Sequence, residues 1–170
     1  MRLGMVGLGR MGANMAERLR RAGHEVVGYD AFSAATEVAS LAELAGAVGE
    51  PGTRVVWSMV PAGEPTESVV SELAQRLAAG DLVIEGGNSN WNDSVRRASL
   101  LTEHSIGFID AGVSGGVWGL DNGYCLMVGG AAGAVERAMP IFDALRPPEG
   151  GFAHVGPVGA GHFTKMVHNG

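Results

Sequence analysis

At 170 residues the chain is long enough for one buried α/β core and leaves little room for a second complete domain. A formal charge of -6 with scattered Lys and Arg gives no basic face for phosphates, which argues against a nucleic-acid partner. No apolar run approaches the roughly 20 residues of a membrane span, no secretory-type leader precedes the first strand, and the single Cys125 excludes an internal disulfide, so a cytoplasmic enzyme is expected.

Leu3 to Val6 reads as a buried strand that runs directly into Gly7-Leu8-Gly9-Arg10-Met11-Gly12. Met11, Met15, Leu19 and Ala22 then recur at helical spacing, Gly23-His24 closes the helix, and Glu25 to Asp30 forms the next parallel strand. A glycine fingerprint between a strand and a helix reads as the phosphate turn of a βαβ nucleotide unit, with a purely structural tight turn as the alternative. Gly7 permits the tight turn, Gly9 lets backbone approach a pyrophosphate, and Gly12 allows close helix-to-strand packing. The helix N-terminus offers unpaired amides to the anion. Asp30 stands where a carboxylate receives the adenine-ribose hydroxyls, and Ala31 to Ala35 contain no Arg or Lys to meet a 2′-phosphate, so NAD is expected over NADP. A cap on the following turn is the structural alternative for Asp30.

The segment after Asp30 is compressed. It holds one short helix near Ser40 to Ala47 before the apolar strand Val55 to Val60, and a further helix and strand barely fit. Val60, Pro61 and Ala62 then begin a loop that lines a cofactor or merely starts the next helix. A helix is expected over Glu67 to Leu77, a strand over Leu82 to Glu85, and a Gly86-Gly87-Asn88 turn whose amide either contacts a polar ligand or serves the turn. Ser94 to Glu103 reads as helix and Ile106 to Asp110 as strand. Val113-Ser114-Gly115-Gly116-Val117-Trp118-Gly119 reads as a compact turn, able to hold a carboxylate on successive amides or purely structural. Tyr124 to Val128 is expected as a buried strand with Cys125 in the core. Ala134 to Leu145 is expected as helix, Phe152 to Val155 as a last strand, and Ala160 onward as a final helix. On that helix Lys165 and the pair His168 and Asn169 occupy neighbouring turns of one face, where Lys165 is the candidate proton acceptor and His168 is either a contact or structural. Trp57, Trp91 and Trp118 form no periodic platform and are assigned to packing or a pocket wall. No compact Cys/His constellation suggests a metal.

The fold class expected is α/β, a Rossmann-like, doubly wound, mostly parallel sheet with flanking helices over 1–157, with 158–170 starting a linking helix. Gly7 to Gly12, Glu85-Gly86-Gly87-Asn88-Ser89, Ser114 to Gly119 and Gly161 to Gly170 together closely resemble the N-terminal coenzyme domain of decarboxylating 6-phosphogluconate dehydrogenases of the shorter bacterial type. The resemblance spans essentially the whole chain. Broader β-hydroxyacid dehydrogenases share the fingerprint, the Ser-Gly-Gly turn and the late lysine, whereas Gly123 to Met127 and Lys165 to Gly170 look much more like the 6-phosphogluconate branch.

The resemblance implies that Gly7, Leu8, Gly9, Arg10, Met11, Gly12, Asp30, Val60, Pro61, Ala62 and Asn88 bind NAD, and that Asn88, Ser114, Gly115, Gly116, His168 and Asn169 contact 6-phosphogluconate. Lys165 would be the base that takes the C3 hydroxyl proton during hydride transfer, before loss of carbon dioxide and formation of ribulose 5-phosphate. The family's catalytic glutamate and large helical domain would lie beyond Gly170, and homo-oligomers would form through that domain. Glu85 stands where the family commonly has Asp. Two other functions remain open at this point: a dehydrogenase of a small β-hydroxy acid such as 3-hydroxyisobutyrate, and a noncatalytic NAD-sensing module.

Overall fold

The computed structural model describes residues 1–169. Gly170, the last residue of the late motif, lies outside them. Apolar runs of four or five residues alternate with amphipathic segments, so the central strands are buried on both faces and helices must cover them, whereas the two outermost strands are only partly buried. The chain order is β1 (Arg2–Val6), α1 (Arg10–Arg21), β2 (Glu25–Tyr29), α2 (Leu41–Ala47), β3 (Val55–Ser58), α3 (Glu64–Arg76), β4 (Leu82–Glu85) and α4 (Trp91–Thr102). Then follow β5 (Gly107–Ser114), a 3-10 turn (Gly116–Trp118), α5 (Gly119–Asn122), β6 (Cys125–Gly129), α6 (Ala132–Leu145), β7 (Phe152–Gly156) and α7 (Ala160–Asn169).

The strands form one sheet in the order β2-β1-β3-β4-β5-β6-β7, parallel except between β5 and β6. The expected doubly wound, mostly parallel α/β sheet is what the structure has. On one face Met15 and Leu19 of α1 pack with Ala138, Ile141 and Phe142 of α6. The other face buries Leu44 of α2, Leu73 of α3 and Leu101 of α4. The order reverses at β1, whose neighbours are β2 and β3. A crevice therefore opens above the carboxyl ends of β1 and β3, the place where such sheets bind ligands.

No strand forms between Asp30 and Val55 among the described residues, so β2 is the sheet edge. The segment after Asp30 covers that edge. The Glu37 amide donates to the Gly28 carbonyl at 2.9 Å, its carboxylate accepts from the Gly28 amide at 2.6 Å, and the Thr36 hydroxyl accepts from the Asp30 amide at 3.2 Å. Capping an edge in this way removes a template for intermolecular pairing.

Two expectations are corrected. β5 does not stop at Asp110 but continues to Ser114, because Ala111 to Ser114 pair antiparallel with Cys125 to Val128 of β6. The compact turn therefore begins only at Gly115. Cys125 is exposed rather than buried in the core, although its neighbours Tyr124 and Leu126 are both fully buried.

The final helix is seated by glycines. A Cβ on Gly112 of β5 would lie 2.6 Å from Lys165 Cβ, and one on Gly161 of α7 would lie 2.5 Å from the carbonyl oxygens of Asp110 and Met127. Backbone thus meets backbone, and Lys165 is carried directly against β5. Gly161→Ala is expected to destabilise the fold by ~1–3 kcal/mol through overpacking. A thermal midpoint unchanged from wild type would show that the helix is not held by this contact.

Candidate functional site

The glycine turn is built around three different requirements. Gly7 adopts φ +91°, open to glycine but strained for other residues, and a Cβ there would lie 2.8 Å from the Met59 carbonyl. A Cβ on Gly12 would run into the Gly7 carbonyl oxygen, so the first turn of α1 can close on the loop only without a side chain. Gly9 is the reverse case, because a Cβ there meets nothing within 4 Å and faces open space. Gly9 also caps α1 without a side-chain hydrogen bond, and the first turn holds no acidic residue. The positive end of the helix is thus left for an external anion.

Asp30 closes the other side of this turn. Its Oδ2 accepts from the Leu8 amide at 2.7 Å and its Oδ1 from the Phe32 amide at 2.8 Å. Each carboxylate oxygen retains a lone pair for a further donor, so the structural and ligand-binding roles are compatible. Above the turn lies a cleft of about 940 Å³ lined by Gly7, Gly9, Met11 and Asp30 at one end and by Asn88 and Lys165 at the other. Val60, Pro61 and Ala62 form its wall. Its size is in the range of about 300–1,000 Å³ common for small-molecule sites.

At the other end of the cleft two elements meet. Gly86 and Gly87 let the turn after β4 lie flat: a Cβ on Gly86 would lie 2.5 Å from Trp57 Nε1 and one on Gly87 2.7 Å from the Val60 carbonyl oxygen. The turn delivers Asn88, whose Oδ1 accepts from Lys165 Nζ at 2.5 Å. Burial holds the Lys165 ammonium below its ordinary lysine value, since half-desolvated charge is disfavoured. Asn88 and Lys165 also line a second cavity of about 350 Å³, together with Trp91, Met166 and Asn169. The two cavities therefore share the Asn88–Lys165 contact as their common wall.

Beneath that contact lies a buried polar layer. Glu85 at the end of β4 is in register with Asp110 of β5. The Asp110 carboxylate accepts from the Gly159 and His162 amides at 2.7 and 2.8 Å and pins the start of α7. Burial pushes Glu85 up to about 7 and His162 down to about 4, and it raises Asp110 as well.

Comparison with known proteins assigns this architecture. A family profile described as the NAD binding domain of 6-phosphogluconate dehydrogenase matches residues 2–147. The chain belongs to this family. It is 40% identical, over its whole length, to an NAD(+)-dependent, decarboxylating 6-phosphogluconate dehydrogenase of Haloferax volcanii, and spans 58% of that relative. A Bacillus subtilis enzyme of the same description is 35% identical over 99% of the chain, which spans 39% of it. Among solved structures, a 3-hydroxyisobutyrate dehydrogenase of Mycobacterium tuberculosis superimposes with a TM-score of 0.86 and 29% identity over 98% of the chain and 58% of its own. A Plasmodium falciparum 6-phosphogluconate dehydrogenase gives 0.83 and 26% over 99% and 40%.

Within this NAD-binding family the residues expected from sequence fall into three groups. Gly7, Gly9, Met11, Asp30, Val60, Pro61, Ala62, Asn88 and Lys165 surround the large cleft. Leu8, Arg10 and Gly12 do not line it: Leu8 folds over Gly28, Arg10 is exposed, and Gly12 is the buried contact between loop and helix. Asn169 lines the second cavity beside Lys165, while His168 is exposed with Nδ1 3.2 Å from Asn169 Oδ1. Ser114, Gly115 and Gly116 line neither of these cavities among the described residues. Sequence reasoning passes over Tyr29, Phe32, Met59 and Glu72, which also line the large cleft. Phe32 is fully exposed two residues after Asp30, and an aromatic at that position is the only signal the sequence offers.

The tryptophans divide similarly. Trp57 is fully buried against Phe142, Trp91 lines the second cavity, and Trp118 is largely exposed. Among the described residues no group of three or more His, Cys, Asp or Glu side chains is arranged to hold a metal, and no helix is long and apolar enough to cross a membrane.

Proposed function

We propose that the full-length protein containing this chain oxidises and decarboxylates 6-phosphogluconate with NAD as the hydride acceptor. The observation that carries this reading is the placement of Lys165 on the wall shared by the dinucleotide cleft and the smaller cavity. An uncapped helix end, an open Gly9 and a carboxylate at Asp30 suit a dinucleotide lying from β1 toward Asn88. NAD, when bound, accepts hydride. The chain's own contribution is to orient the reactants and to take a proton.

Asn88 holds the Lys165 nitrogen through its side-chain oxygen, leaving the nitrogen lone pair free once lysine is neutral. Partial burial favours that neutral form. A neutral Lys165 accepts the C3 hydroxyl proton as hydride leaves C3, and its ammonium then faces the oxygen that gains charge when carbon dioxide departs. Asn169, which lines the second cavity beside Lys165, is assigned with His168, Ser114, Gly115 and Gly116 to the binding surface of the sugar acid. Since Lys165 must lose its proton to act and its folded value lies below the 10.5 of an ordinary lysine, kcat/KM for oxidation should rise with pH and level off below 10.5. Continued rise beyond that value would contradict the burial of Lys165. The reading itself is tested by measuring NADH and carbon dioxide together from 6-phosphogluconate. Matched yields support it, and NADH without carbon dioxide rejects decarboxylation.

The proposed NAD preference rests on Asp30, which would face the 2′-phosphate of NADP with a like charge. Asp30→Asn keeps the side chain's size and one acceptor for the Leu8 or Phe32 amide, turns an NH2 toward the other, and removes that charge. Calorimetric titration is expected to show NAD favoured by wild type and weakened about tenfold to hundredfold in the variant, with discrimination against NADP reduced. Equal affinities in wild type would overturn the preference. A second reading, oxidation of a small β-hydroxy acid, is favoured by the structural likeness to 3-hydroxyisobutyrate dehydrogenase. It uses the same lysine but forms no carbon dioxide.

A further inference from the structure

The polar layer under Lys165 is more elaborate than strand pairing requires. The Glu85 and His162 side chains are each 1% exposed, with Glu85 Oε2 3.5 Å from His162 Nδ1. Neither Glu85 Oε2 nor His162 Nε2 has a hydrogen-bond partner among the described residues. The other Glu85 oxygen accepts from the Gly87 amide at 2.7 Å and so fixes the turn that ends in Asn88. His162 lies one helical turn before Lys165 on α7. Each member of the pair thus belongs to one of the two elements whose meeting makes the Asn88–Lys165 contact.

The arrangement decides between an ion pair and an uncharged pair. A protonated imidazole has two donors, and Nε2–H would be a charged donor buried without an acceptor. Nδ1 already has the Ser94 hydroxyl at 2.7 Å. An ionised Glu85 would likewise leave a charged oxygen unpartnered. The charges facing Glu85 do not rescue it. Asp110 of β5, whose Oδ2 is 3.9 Å from His162 Nδ1, adds a like charge, and the buried Arg97 of α4 is already paired with Glu67 of α3 at 2.9 Å. Lys165 of α7 is neutral when it acts. Resting on the reading of Lys165 as the proton acceptor, we propose that Glu85 and His162 are positioning residues that form an uncharged pair, with the proton on Glu85, seating the Asn88 turn against the Lys165 helix.

Burial drives both groups in the direction this requires, Glu85 up to about 7 and His162 down to about 4. The two then act oppositely on stability. Glu85, raised from 4.5, stabilises most below pH 4.5, and that contribution is lost as pH rises through 7. His162, lowered from 6.5, stabilises most above pH 6.5 and loses that contribution as pH falls through 4. Between pH 4.5 and 6.5 the slopes oppose, so the wild-type pair hides its own titration and each single variant exposes the partner's.

The test uses Glu85→Gln and His162→Gln in the full-length protein, with unfolding equilibria measured between pH 4.5 and 6.5. Relative to wild type, Glu85→Gln should become more stable as pH rises, by up to about tenfold in the unfolding constant per pH unit, and His162→Gln less stable by the same measure. Groups that stay charged in the folded state carry the same protons as the unfolded chain in this window, so differences independent of pH mean no proton linkage and overturn the uncharged pair. Positioning is read separately from the acylation rate of Lys165 by acetic anhydride across pH, followed by mass spectrometry. Glu85→Gln should keep the wild-type profile, whereas Glu85→Leu should change the reactive amine fraction about tenfold. An unchanged profile in Glu85→Leu overturns the positioning role. Neither readout involves a sugar acid or turnover, so failure of the oxidation reading and failure of this one are distinguishable.

Discussion

Replacing Lys165 by methionine is expected to slow hydride transfer from 6-phosphogluconate by about 10²–10⁴-fold, the usual contribution of a positioned general base. Methionine keeps an unbranched stem of similar reach along β5 but has no nitrogen to accept the hydroxyl proton. NAD affinity should stay near wild type, because the dinucleotide is held mainly at the far end of the cleft, by the glycine turn and Asp30. The comparison is single-turnover NADH formation beside a cofactor titration. Near-normal hydride transfer would remove Lys165 from the chemistry, and joint loss of folding and NAD binding would make it a packing residue.

The second large effect separates two glycines of one motif. Gly9→Ala adds a methyl where nothing lies within 4 Å, so the fold should be unaffected while the methyl enters the approach to the helix end. NAD binding should weaken by on the order of tenfold or more, since amides that hold pyrophosphate need close contact. Gly12→Ala instead drives a methyl into the Gly7 carbonyl oxygen and forces α1 away from β1. It should destabilise the protein by about 1–3 kcal/mol or more, a fall in thermal midpoint of about 2–4 °C for each kcal/mol. Calorimetry and thermal denaturation on the same pair check this. Equal destabilisation by both substitutions would contradict the assignment of Gly9 to ligand approach.

Local signals carry much of this architecture. The strand, glycine turn, helix and second strand are legible from Leu3 to Asp30 because hydrophobic period and turn chemistry agree there. Helix starts read late at α3, α4 and α6, although Pro65 in the first turn of α3 and the Asn90 cap of α4 mark two of them. β5 reads short because its continuation, Ala111 to Ser114, is specified by its partner β6, not by its own pattern. Cys125 misleads for a related reason: an apolar run shows a strand but not which of its side chains faces solvent.

At the site, long-range contacts explain the remainder. Asn88 and Lys165 are 77 residues apart, and no local pattern states that one receives the other's nitrogen. The same holds for Glu85 and His162, which the fold brings together from β4 and α7. Glycines 112, 129 and 161 give no periodic signal, yet they are what allow α7 to lie on β5 and β6.

The central claim is that the Asn88–Lys165 wall serves a sugar acid that loses carbon dioxide, rather than a small β-hydroxy acid. The most direct measurement is kcat/KM for NADH formation by NAD-saturated full-length protein, with 6-phosphogluconate and 3-hydroxyisobutyrate in parallel and carbon dioxide trapped from each. The account predicts strong preference for 6-phosphogluconate and one carbon dioxide for each NADH. Preference for 3-hydroxyisobutyrate, with no carbon dioxide released, would contradict it.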